Sequence, residues 1–577
     1  MINYKRYVEI VIGWCFFLGV VVLIFWKCKY GYATLDEAFY PTIGYRFLQG
    51  DAILYEEWSN TQLTGILMLP ILKIYQIING GMEGVYLFLR YIYTIFKILI
   101  AGLIYYRFQR FGKRKAYVTA MLFLIFASYG MMVLSYNTFA IGGAMIALIL
   151  LFDDKEAKGT SIRAILAGVA FAVSVLGIPY MIGLYGVYLV IMIAKTMIFK
   201  QSSADKYIEH LLSWKTFGLV TFGGGICGIG LLIYICLKSG FTNVLHTIPH
   251  IIYGDPAHPA KSVYQMTSAY LVRILIGNDH NYWVFGGYVL LAIIVIAYFI
   301  DKRRNQRVEK YKFCSVVASL VLLLLYVLTD DYINSIIFIP NVLAFMLTIF
   351  NQNANRGIFY CIWIPGMLIS YFEYLASNTG FSGISAASCV ATVGSVIIIC
   401  TEAGKVWEKT VPFEKAIRVF LIAILLLLLY YRSTYVFWED GGIQSLTAEI
   451  DHGTAKGLYV TENTKTMYNQ MYKDTEQIRK MSEETMVLYE ADNVLWMSGK
   501  QHCGSYSPLN YSLSVDPTIL YDYYEIHPDK MADVMYISDT YPDLADTLAT
   551  KYGYYIEKKE VGTLLWREEI KWIHFIL

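Results

Sequence analysis

Residues 27–48 read KCKYGYATLDEAFYPTIGYRFL and follow directly on an apolar run at 8–26. That run is long enough to cross a bilayer as a helix, which takes about 20 apolar residues. The stretch that follows has an adjacent acidic pair, Asp36 and Glu37, and then an amphipathic pattern over 38–48. We therefore predict a helix that lies along the membrane surface and carries two carboxylates at its start.

The whole chain shares the apolar character of its first span. Of its 577 residues, 57% are hydrophobic, and the mean hydropathy is +0.47. One soluble core cannot hide so much apolar surface, so the excess must face lipid, and the expected fold class is an α-helical polytopic membrane protein. Apolar runs predict about 13 transmembrane helices, at 8–26, 84–106, 117–135, 138–152, 163–178, 180–199, 216–237, 283–300, 313–329, 332–350, 357–375, 383–400 and 417–436.

The distribution of basic residues predicts the orientation in the plasma membrane. The loops RFQRFGKRK at 107–115 and DKRRNQRVEKYK at 301–312 fall on the same side, with most of the Lys and Arg of the other short loops. The positive-inside rule places them and the N-terminus in the cytoplasm, and an odd number of spans puts the C-terminal segment outside. The first span lacks a small-residue cleavage site, so we expect it to be retained.

Three regions outside the spans organise the chain. Two are large outside loops of the transmembrane region 1–436, at 27–83 and 238–282, and the second is polar and rich in His, Tyr and Asn. The third, 437–577, has a soluble composition in which helix-like and strand-like runs alternate. A small extracytoplasmic α/β domain is predicted there.

One apolar run in the first loop, 63–78, needs a decision between a span and a surface helix. Pro70 and Lys73 interrupt it. If the run crossed the membrane, the basic turn at 110–115 would lie outside, against the positive-inside rule. A second surface helix is therefore predicted.

Several functions are disfavoured by missing motifs. The sequence has no CxxC, HExxH or GxxxxGK[ST] pattern, and its GxGxxG match at 223–228 lies within the predicted span 216–237 and not in a phosphate-binding loop, which argues against a nucleotide-driven pump and a zinc protease. Of the nine cysteines, only Cys28 and Cys503 lie clearly outside the predicted spans. They could form a disulfide between the first loop and the C-terminal domain, although a coincidence of position explains them as well.

Asp36 and Glu37 are the first candidate catalytic residues. A carboxylate can accept the proton of an acceptor hydroxyl as it attacks, and a neighbouring acid can orient that carboxylate or help to hold a divalent cation such as Mg²⁺ or Mn²⁺. The alternative is a solvated pair at the start of the surface helix, because acidic residues favour a first helical turn. Spacing alone leaves both interpretations open.

The order of these elements resembles that of the GT-C fold glycosyltransferases, above all the protein O-mannosyltransferases and the aminoarabinose transferases. The resemblance is carried by DEAFY at 36–40, YRFLQGD at 45–51 and the span start from Glu83 to Arg90 before the basic turn. It implies transfer of a sugar, with inversion, from a polyprenyl-phosphate carrier to a glycan, lipid or protein acceptor outside the cell. It also implies that Asp36 activates the acceptor hydroxyl.

Further residues are predicted to bind the donor or the acceptor. Aromatic rings beside carboxylates can hold a sugar, and cations can offset the charge of a departing phosphate. Each of these interpretations has an alternative. Aromatic and charged residues occur in any loop at a membrane interface, and Arg90, near a span end, can extend its side chain to the lipid headgroups. His246 and His250 are spaced four apart like zinc ligands on a helix, but no third ligand accompanies them. The predicted binding residues are Tyr40, Arg46, Glu56, Glu57, Arg90, His246, His250, His258, Lys261 and Arg273.

Two functions of other classes stay open. A transporter or flippase of lipid-linked saccharides would explain the apolar bulk, although the spans show few mid-membrane charges and no obvious inverted halves. A partner-binding outer domain with a membrane anchor would need far fewer than about 13 spans. A nucleic-acid partner is not expected, and the sequence does not define the sugar, the acceptor or the oligomeric state.

Overall fold

The structure is a computed structural model of the full chain. It describes residues 2–153, 158–198, 205–253, 261–277, 282–306, 308, 310–329, 332–351, 356–377, 380–404, 411–436, 442–481, 485–489, 497, 501–508 and 511–567.

Long helices make up the chain as far as residue 434. The described helices of this part are Ile2–Lys27, Thr34–Gln49, Leu63–Asn79, Val85–Phe108, Lys113–Ile125, Tyr136–Leu151, Thr160–Gly177, Ile182–Ile198, Lys206–Leu211, Trp214–Lys238, Phe241–Tyr253, Val263–Ile276, Tyr282–Arg303, Lys310–Thr329, Tyr332–Phe350, Arg356–Ser377, Gly380–Ala387, Cys389–Gly404 and Val411–Thr434. Many apolar side chains on them are exposed, as expected of surfaces that face lipid.

The number of spans differs from the prediction. Within the described ranges, eight helices are long and apolar enough to cross a membrane, or nine if the bent pair Gly380–Ala387 and Cys389–Glu402 is one span. The predicted count of about 13 is therefore not confirmed. In the predicted span 117–135, for example, the helix ends at Ile125 because Phe126 is extended, and Ser135 caps the next helix.

The two helices predicted in the first loop are present, as Thr34–Gln49 and Leu63–Asn79, and they pack closely together. Glycines allow this approach. A Cβ on Gly44 would lie 2.8 Å from the Cβ of Met68, and one on Gly65 would lie 2.6 Å from Cγ2 of Ile43. The position of these helices at the membrane surface stays a prediction.

The second large loop is mostly helical where a polar loop was predicted. It contains the helices Phe241–Tyr253 and Val263–Ile276. The hydroxyl of Ser239, just before them, donates to the carbonyl oxygen of Ile53, and the hydroxyl of Thr247 donates to that of Leu54. The second loop therefore holds the first one in place.

The C-terminal part is a small α/β domain, as predicted. A two-stranded sheet pairs β1 (Ala448–Glu449) with β2 (Tyr459–Val460), and a five-stranded sheet has the order β4-β3-β5-β7-β6. Its strands are β3 (Thr485–Tyr489), β4 (His502–Cys503), β5 (Val534–Ser538), β6 (Tyr555–Lys558) and β7 (Gly562–Trp566). Strands β4, β3 and β5 run parallel, and β7 is antiparallel to β5 and β6. The described helices are Glu462–Asp474, Glu476–Met481, Thr518–Ile526 and Pro542–Tyr552.

This C-terminal domain is joined to the start of the first loop by backbone hydrogen bonds. The N–H of Gly31 donates to the carbonyl of Tyr459 at 2.8 Å, and the N–H of Tyr459 donates to that of Lys29 at 2.7 Å. Residues 29–31 thus pair with β2 through an isolated parallel bridge between Tyr30 and Tyr459. Cys28 and Cys503 are both buried free thiols, so the disulfide that their positions allowed is not formed.

Candidate functional site

A cleft lies at the end of the helical bundle where the C-terminal domain docks. Its lining residues are Lys27, Tyr30, Gly31, Tyr32, Ala33, Glu37, Arg90, Gly130, Met131, Met132, Val133 and Val436. A neighbouring cavity is lined by Lys27, Ile125, Phe126, Ala127, Gly130, Leu428, Tyr431, Arg432 and Tyr435. The linings of the two spaces share Lys27 and Gly130, so the spaces are adjacent.

Arg90 organises the cleft. Its Nε and Nη2 donate to the two carboxylate oxygens of Glu37, each at 2.6 Å. Its Nη1 donates to the carbonyl oxygens of Cys28 at 2.8 Å and Tyr30 at 3.1 Å, and Nη2 also donates to that of Gly31 at 2.8 Å. All five N–H donors of the guanidinium are therefore used. The chain from Cys28 to Gly31 is wrapped around this one side chain.

The pair of Glu37 and Arg90 explains how an arginine is accommodated near the start of an apolar span. Both side chains are buried, and their charges offset each other in a bidentate contact. Asp36 precedes Glu37 in the same helix, but its side chain lies outside the described part of the structure. The catalytic role of Asp36 therefore stays a prediction.

Two further cations border this region. The side chains of Lys27 and Arg432 lie in residues that are only 2% and 6% exposed. Nζ of Lys27 and both Nε and Nη1 of Arg432 have no hydrogen-bond partner among the described residues. Burial of a charged group without a partner costs several kcal/mol. The cleft and the neighbouring cavity thus contain two buried basic side chains with donors that no described group accepts from.

The described lining residues do not fit a divalent cation. Nowhere in the described ranges do three His, Cys, Asp or Glu side chains group as metal ligands would. In the cleft, both oxygens of Glu37 accept from Arg90, and the other basic side chains described in the cleft and the neighbouring cavity, Lys27 and Arg432, do not bind a metal ion.

A second buried cluster lies where the first loop meets the C-terminal domain. Arg46 is completely buried, and its Nε donates to Asp51 at 2.7 Å while Nη1 pairs with Glu57. Its Nη2 donates to the carbonyl oxygen of Glu56 at 2.8 Å. Lys530, from the C-terminal domain, reaches the carboxylates of Asp51 at 2.9 Å and Glu56 at 3.1 Å. We call these five residues the ion cluster.

Close partners favour the charged forms of Asp51 and Lys530, whereas burial raises the pKa of Glu57. Burial alone would raise the pKa of Asp51, but Arg46 and Lys530 hold it below its ordinary value. Burial likewise opposes the charge of Lys530, yet the carboxylates of Asp51 and Glu56 raise its pKa above the ordinary value. Beside them, burial raises the pKa of the Cys503 thiol to about 12, so this thiol stays protonated.

Trp58 anchors the first loop in the C-terminal domain. Its ring stacks on His250 with centroids 4.8 Å apart and meets Tyr523 edge-on at 5.0 Å. Its backbone N–H donates to the carbonyl of Tyr506 at 2.8 Å. Nδ1 of His250 lies 3.6 Å from a carboxylate oxygen of Asp522. One aromatic residue therefore connects both large loops to the C-terminal domain.

The residues predicted to bind substrate fall in separate places. Glu37 and Arg90 line the cleft, whereas Arg46, Glu56 and Glu57 belong to the ion cluster and direct their charges at one another. Tyr40 is buried, with its ring 5.0 Å from that of Phe39 and 5.5 Å from that of Tyr136.

The predicted residues of the second loop are not among those that line the cleft. His246 and Lys261 are exposed, His250 stacks on Trp58, and Arg273 hydrogen-bonds to the hydroxyl of Tyr374. His258 lies outside the described residues. The cleft and the neighbouring cavity are bordered by the first loop, residues 130–133 and the last long helix.

Sequence reasoning missed Lys27, Arg432, Asp51 and Lys530. A signal for the first two was available. Most basic residues of the short loops were predicted on the cytoplasmic side of the membrane. Lys27 and Arg432 instead lie at the predicted outside ends of the first and last spans. Basic residues that break the positive-inside pattern at two span ends are candidates for ligand contacts.

Comparison with known proteins gives structural matches only. No protein-family profile matches the chain, and no curated protein sequence matches it. It is similar to the oligosaccharyltransferase of Archaeoglobus fulgidus tethered with an acceptor peptide, at 11% identity and a TM-score of 0.46, over 95% of this chain and 73% of that chain. The oligosaccharyltransferase AglB of the same organism, in complex with an inhibitory peptide and a dolichol-phosphate, matches at 12% identity and a TM-score of 0.44, over 93% and 72%.

ArnT from Cupriavidus metallidurans, bound to undecaprenyl phosphate, matches at 14% identity and a TM-score of 0.42, over 96% of this chain and 97% of that chain. A further structure of the A. fulgidus enzyme is a complex with Zn and sulfate. With TM-scores below 0.5, we derive the chemistry of the site only from the residues of this chain. The solved structures to which the chain is similar are GT-C fold glycosyltransferases, the family that the order of its sequence elements resembles.

Proposed function

We propose that this chain is a membrane-embedded glycosyltransferase, which transfers a sugar from a polyprenyl-phosphate carrier to an acceptor outside the plasma membrane. The cleft is the observation that carries the proposal. Glu37, from the helix Thr34–Gln49 that also contains Asp36, lines the cleft together with Lys27, and Arg432 lines the neighbouring cavity, both cations being at the ends of apolar helices. An acid that accepts a proton and cations that accept a departing anion are the two requirements of such a transfer.

In the proposed reaction, the acceptor hydroxyl oxygen attacks the anomeric carbon while the bond from that carbon to the phosphate oxygen breaks. Asp36 accepts the hydroxyl proton, and the bonding electrons leave with the phosphate. A single in-line displacement of this kind inverts the anomeric centre. Asp36 is the better base of the acidic pair because both oxygens of Glu37 already accept hydrogen bonds from Arg90.

Glu37 and Arg90 are positioning residues in this proposal. Arg90 holds Glu37 and the backbone carbonyls of Cys28, Tyr30 and Gly31, so it fixes the start of the surface helix. Placement of a base within reach of its proton accounts for a large part of enzymatic rate enhancement. Arg90 would therefore orient Asp36 without touching the substrate.

The C-terminal domain supports the same arrangement. It pairs β2 with residues 29–31 and holds the rest of the first loop through the ion cluster and Trp58. Its contacts lie on both sides of the helix Thr34–Gln49 in the sequence. We propose that this domain keeps the first loop in its active geometry.

The test is transfer by purified full-length protein in lipid vesicles, with polyprenyl-phosphate sugars and a membrane extract as the acceptor source. Products are identified by mass spectrometry. We expect Asp36→Asn to lower the rate by about 10²- to 10⁴-fold. The matched control is Glu83→Gln, which removes a half-exposed ion pair with Lys456 and leaves the rate unchanged.

Two results would count against the proposal. If Asp36→Asn transfers sugar as fast as the wild-type protein, Asp36 is not the base. If the wild-type protein binds the lipid-linked sugar and moves it across the bilayer with the sugar still attached, the chain is a transporter.

A further inference from the structure

We infer that Lys27 and Arg432 form a binding site for a phosphate group, and that these two side chains supply the positive charge that a bound metal ion supplies in other phosphate-transfer sites. The identity of the ligand as a lipid-linked phosphate rests on the proposed function. The anion site itself rests only on the two cations and the space between them.

In the described part of the structure, Lys27 and Arg432 are buried without all the hydrogen bonds that a buried cation needs. Lys27 and Arg432 are each more than nine-tenths buried, and donors of both have no hydrogen-bond partner among the described residues. Lys97 provides the contrast. It is also buried, but its Nζ donates to the carbonyl oxygen of Phe123 at 2.7 Å and lies 3.8 Å from the ring centroid of the same residue. Buried cations in this protein can therefore be satisfied, whereas donors of Lys27 and Arg432 find no acceptor in the part of the chain that the structure describes.

The described side chains around Lys27 and Arg432 do not offset their charge. Arg90 and Glu37 neutralise each other, so the described side chains of the region leave the two positive charges of Lys27 and Arg432. A phosphate diester carries one negative charge and a phosphate monoester carries up to two. Several acceptor oxygens on one small anion also match the open donors of a lysine and an arginine.

The site lies at the ends of two apolar helices. Lys27 ends the first candidate span, and Arg432 lies near the end of the helix Val411–Thr434. The cavity that contains both is also lined by the apolar residues Ile125, Phe126 and Leu428. A cationic end next to an apolar wall suits a ligand with a charged headgroup and a hydrocarbon chain, so we favour a lipid phosphate over free phosphate.

The phosphate group gains negative charge during the proposed transfer. When the bond between the anomeric carbon and the phosphate oxygen breaks, the diester becomes a monoester and gains a negative charge, while the acceptor proton goes to Asp36. Lys27 and Arg432 lie on the phosphate side and would offset that gain. Stabilisation is greatest where charge develops in a site that excludes water.

The experiment measures binding of undecaprenyl phosphate, undecaprenol and inorganic phosphate to the purified full-length protein in EDTA. We expect undecaprenyl phosphate to bind much more tightly than undecaprenol. Lys27→Gln and Arg432→Gln should each weaken that binding at least about tenfold, because each loses charged hydrogen bonds. Binding of undecaprenol should not change, and the control Lys456→Gln, at a half-exposed position, should bind like the wild type.

A second measurement separates a ligand site from a structural role. Without ligand, Lys27→Gln and Arg432→Gln should unfold at the same temperature as the wild type or higher, because each removes a buried charge that lacks a partner. A cation that holds the fold together would lower the unfolding temperature when removed. A lower unfolding temperature of both unliganded variants would overturn the inference.

The remaining outcomes are distinguishable. Equal binding of undecaprenyl phosphate and undecaprenol, or binding unchanged in both variants, would overturn the phosphate site. Binding that is lost in EDTA and restored by Mg²⁺ would overturn the role of the cations in place of a metal. Tight binding of inorganic phosphate alone supports the anion site and counts against a lipid ligand. Binding without any transfer supports the site and counts against the proposed function.

Discussion

Replacement of Arg46 by Met tests whether the ion cluster holds the first loop to the C-terminal domain. Arg46 and Glu57 have no exposed surface. Without the guanidinium, the described partner left to the carboxylate of Glu57 is the backbone N–H of Ser59 at 3.0 Å. Asp51 fares better, because it keeps Lys530 at 2.9 Å. The substitution therefore leaves one buried carboxylate without a cation.

The expected change in the local opening equilibrium follows from the one buried carboxylate, that of Glu57, that loses its cation. Removal of one partner of a buried ion pair costs about 3–5 kcal/mol, which raises the equilibrium for local opening roughly 100- to 4,000-fold. The double variant Arg46→Met/Glu57→Gln no longer buries an unpaired charge at this position. We expect it to recover at least about tenfold of the loss.

Hydrogen–deuterium exchange of the peptide 50–60, followed by mass spectrometry in detergent, measures this opening. The amide of Trp58 is the reporter, since it donates to the carbonyl of Tyr506 in the C-terminal domain. Arg418→Met is the control because the pair of Arg418 with Glu414 is largely exposed and contributes little. The reasoning is refuted if Arg46→Met exchanges within about threefold of the wild type, or if the single and double variants exchange alike.

Three other predictions concern the loop and its supports. The pKa of Asp51 is lowered in the folded protein, so its contribution to stability is present above about pH 4 and is lost as the pH falls through that lowered pKa. The pKa of Lys530 is raised, so its contribution to stability is lost only at strongly alkaline pH. Thermal unfolding of wild type against Asp51→Asn should therefore differ most at neutral pH and converge in acid. Gly65→Ala should destabilise by about 1–3 kcal/mol in the same assay, because its Cβ would lie 2.6 Å from Ile43; an unchanged unfolding temperature would contradict the close packing. Arg90→Lys offers three donors to five acceptors and should slow transfer at least about tenfold while undecaprenyl phosphate still binds; full activity would remove its positioning role.

The local sequence pattern was sufficient for the class of protein and for several elements. Long apolar runs predicted a multi-pass helical protein, and the structure has eight or nine candidate spans in its described part. The amphipathic stretch after Asp36 forms part of the helix Thr34–Gln49, and the predicted alternation of helix-like and strand-like runs in 437–577 corresponds to a domain that contains both helices and strands. These features depend on periodicity over a few turns or one strand, which the sequence contains directly.

The number of spans could not be obtained in the same way. The predicted span 117–135 is interrupted at Phe126, although its residues are as apolar as those of a true span. Most residues from Thr119 to Phe126 are buried in the protein. Hydropathy does not separate side chains that pack against protein from those that face lipid, so only the tertiary structure distinguished them.

The candidate site divides along the same line. The sequence by itself determined that two acidic residues follow the first span and that Arg90 lies in an apolar helix. Only the tertiary structure decided that Glu37 pairs with Arg90, that Arg46 is enclosed by carboxylates, and that Lys27 and Arg432 border one space. The physical reason is that the pairing of charges depends on distance in space and on exclusion of water, and the residues concerned come from opposite ends of the chain.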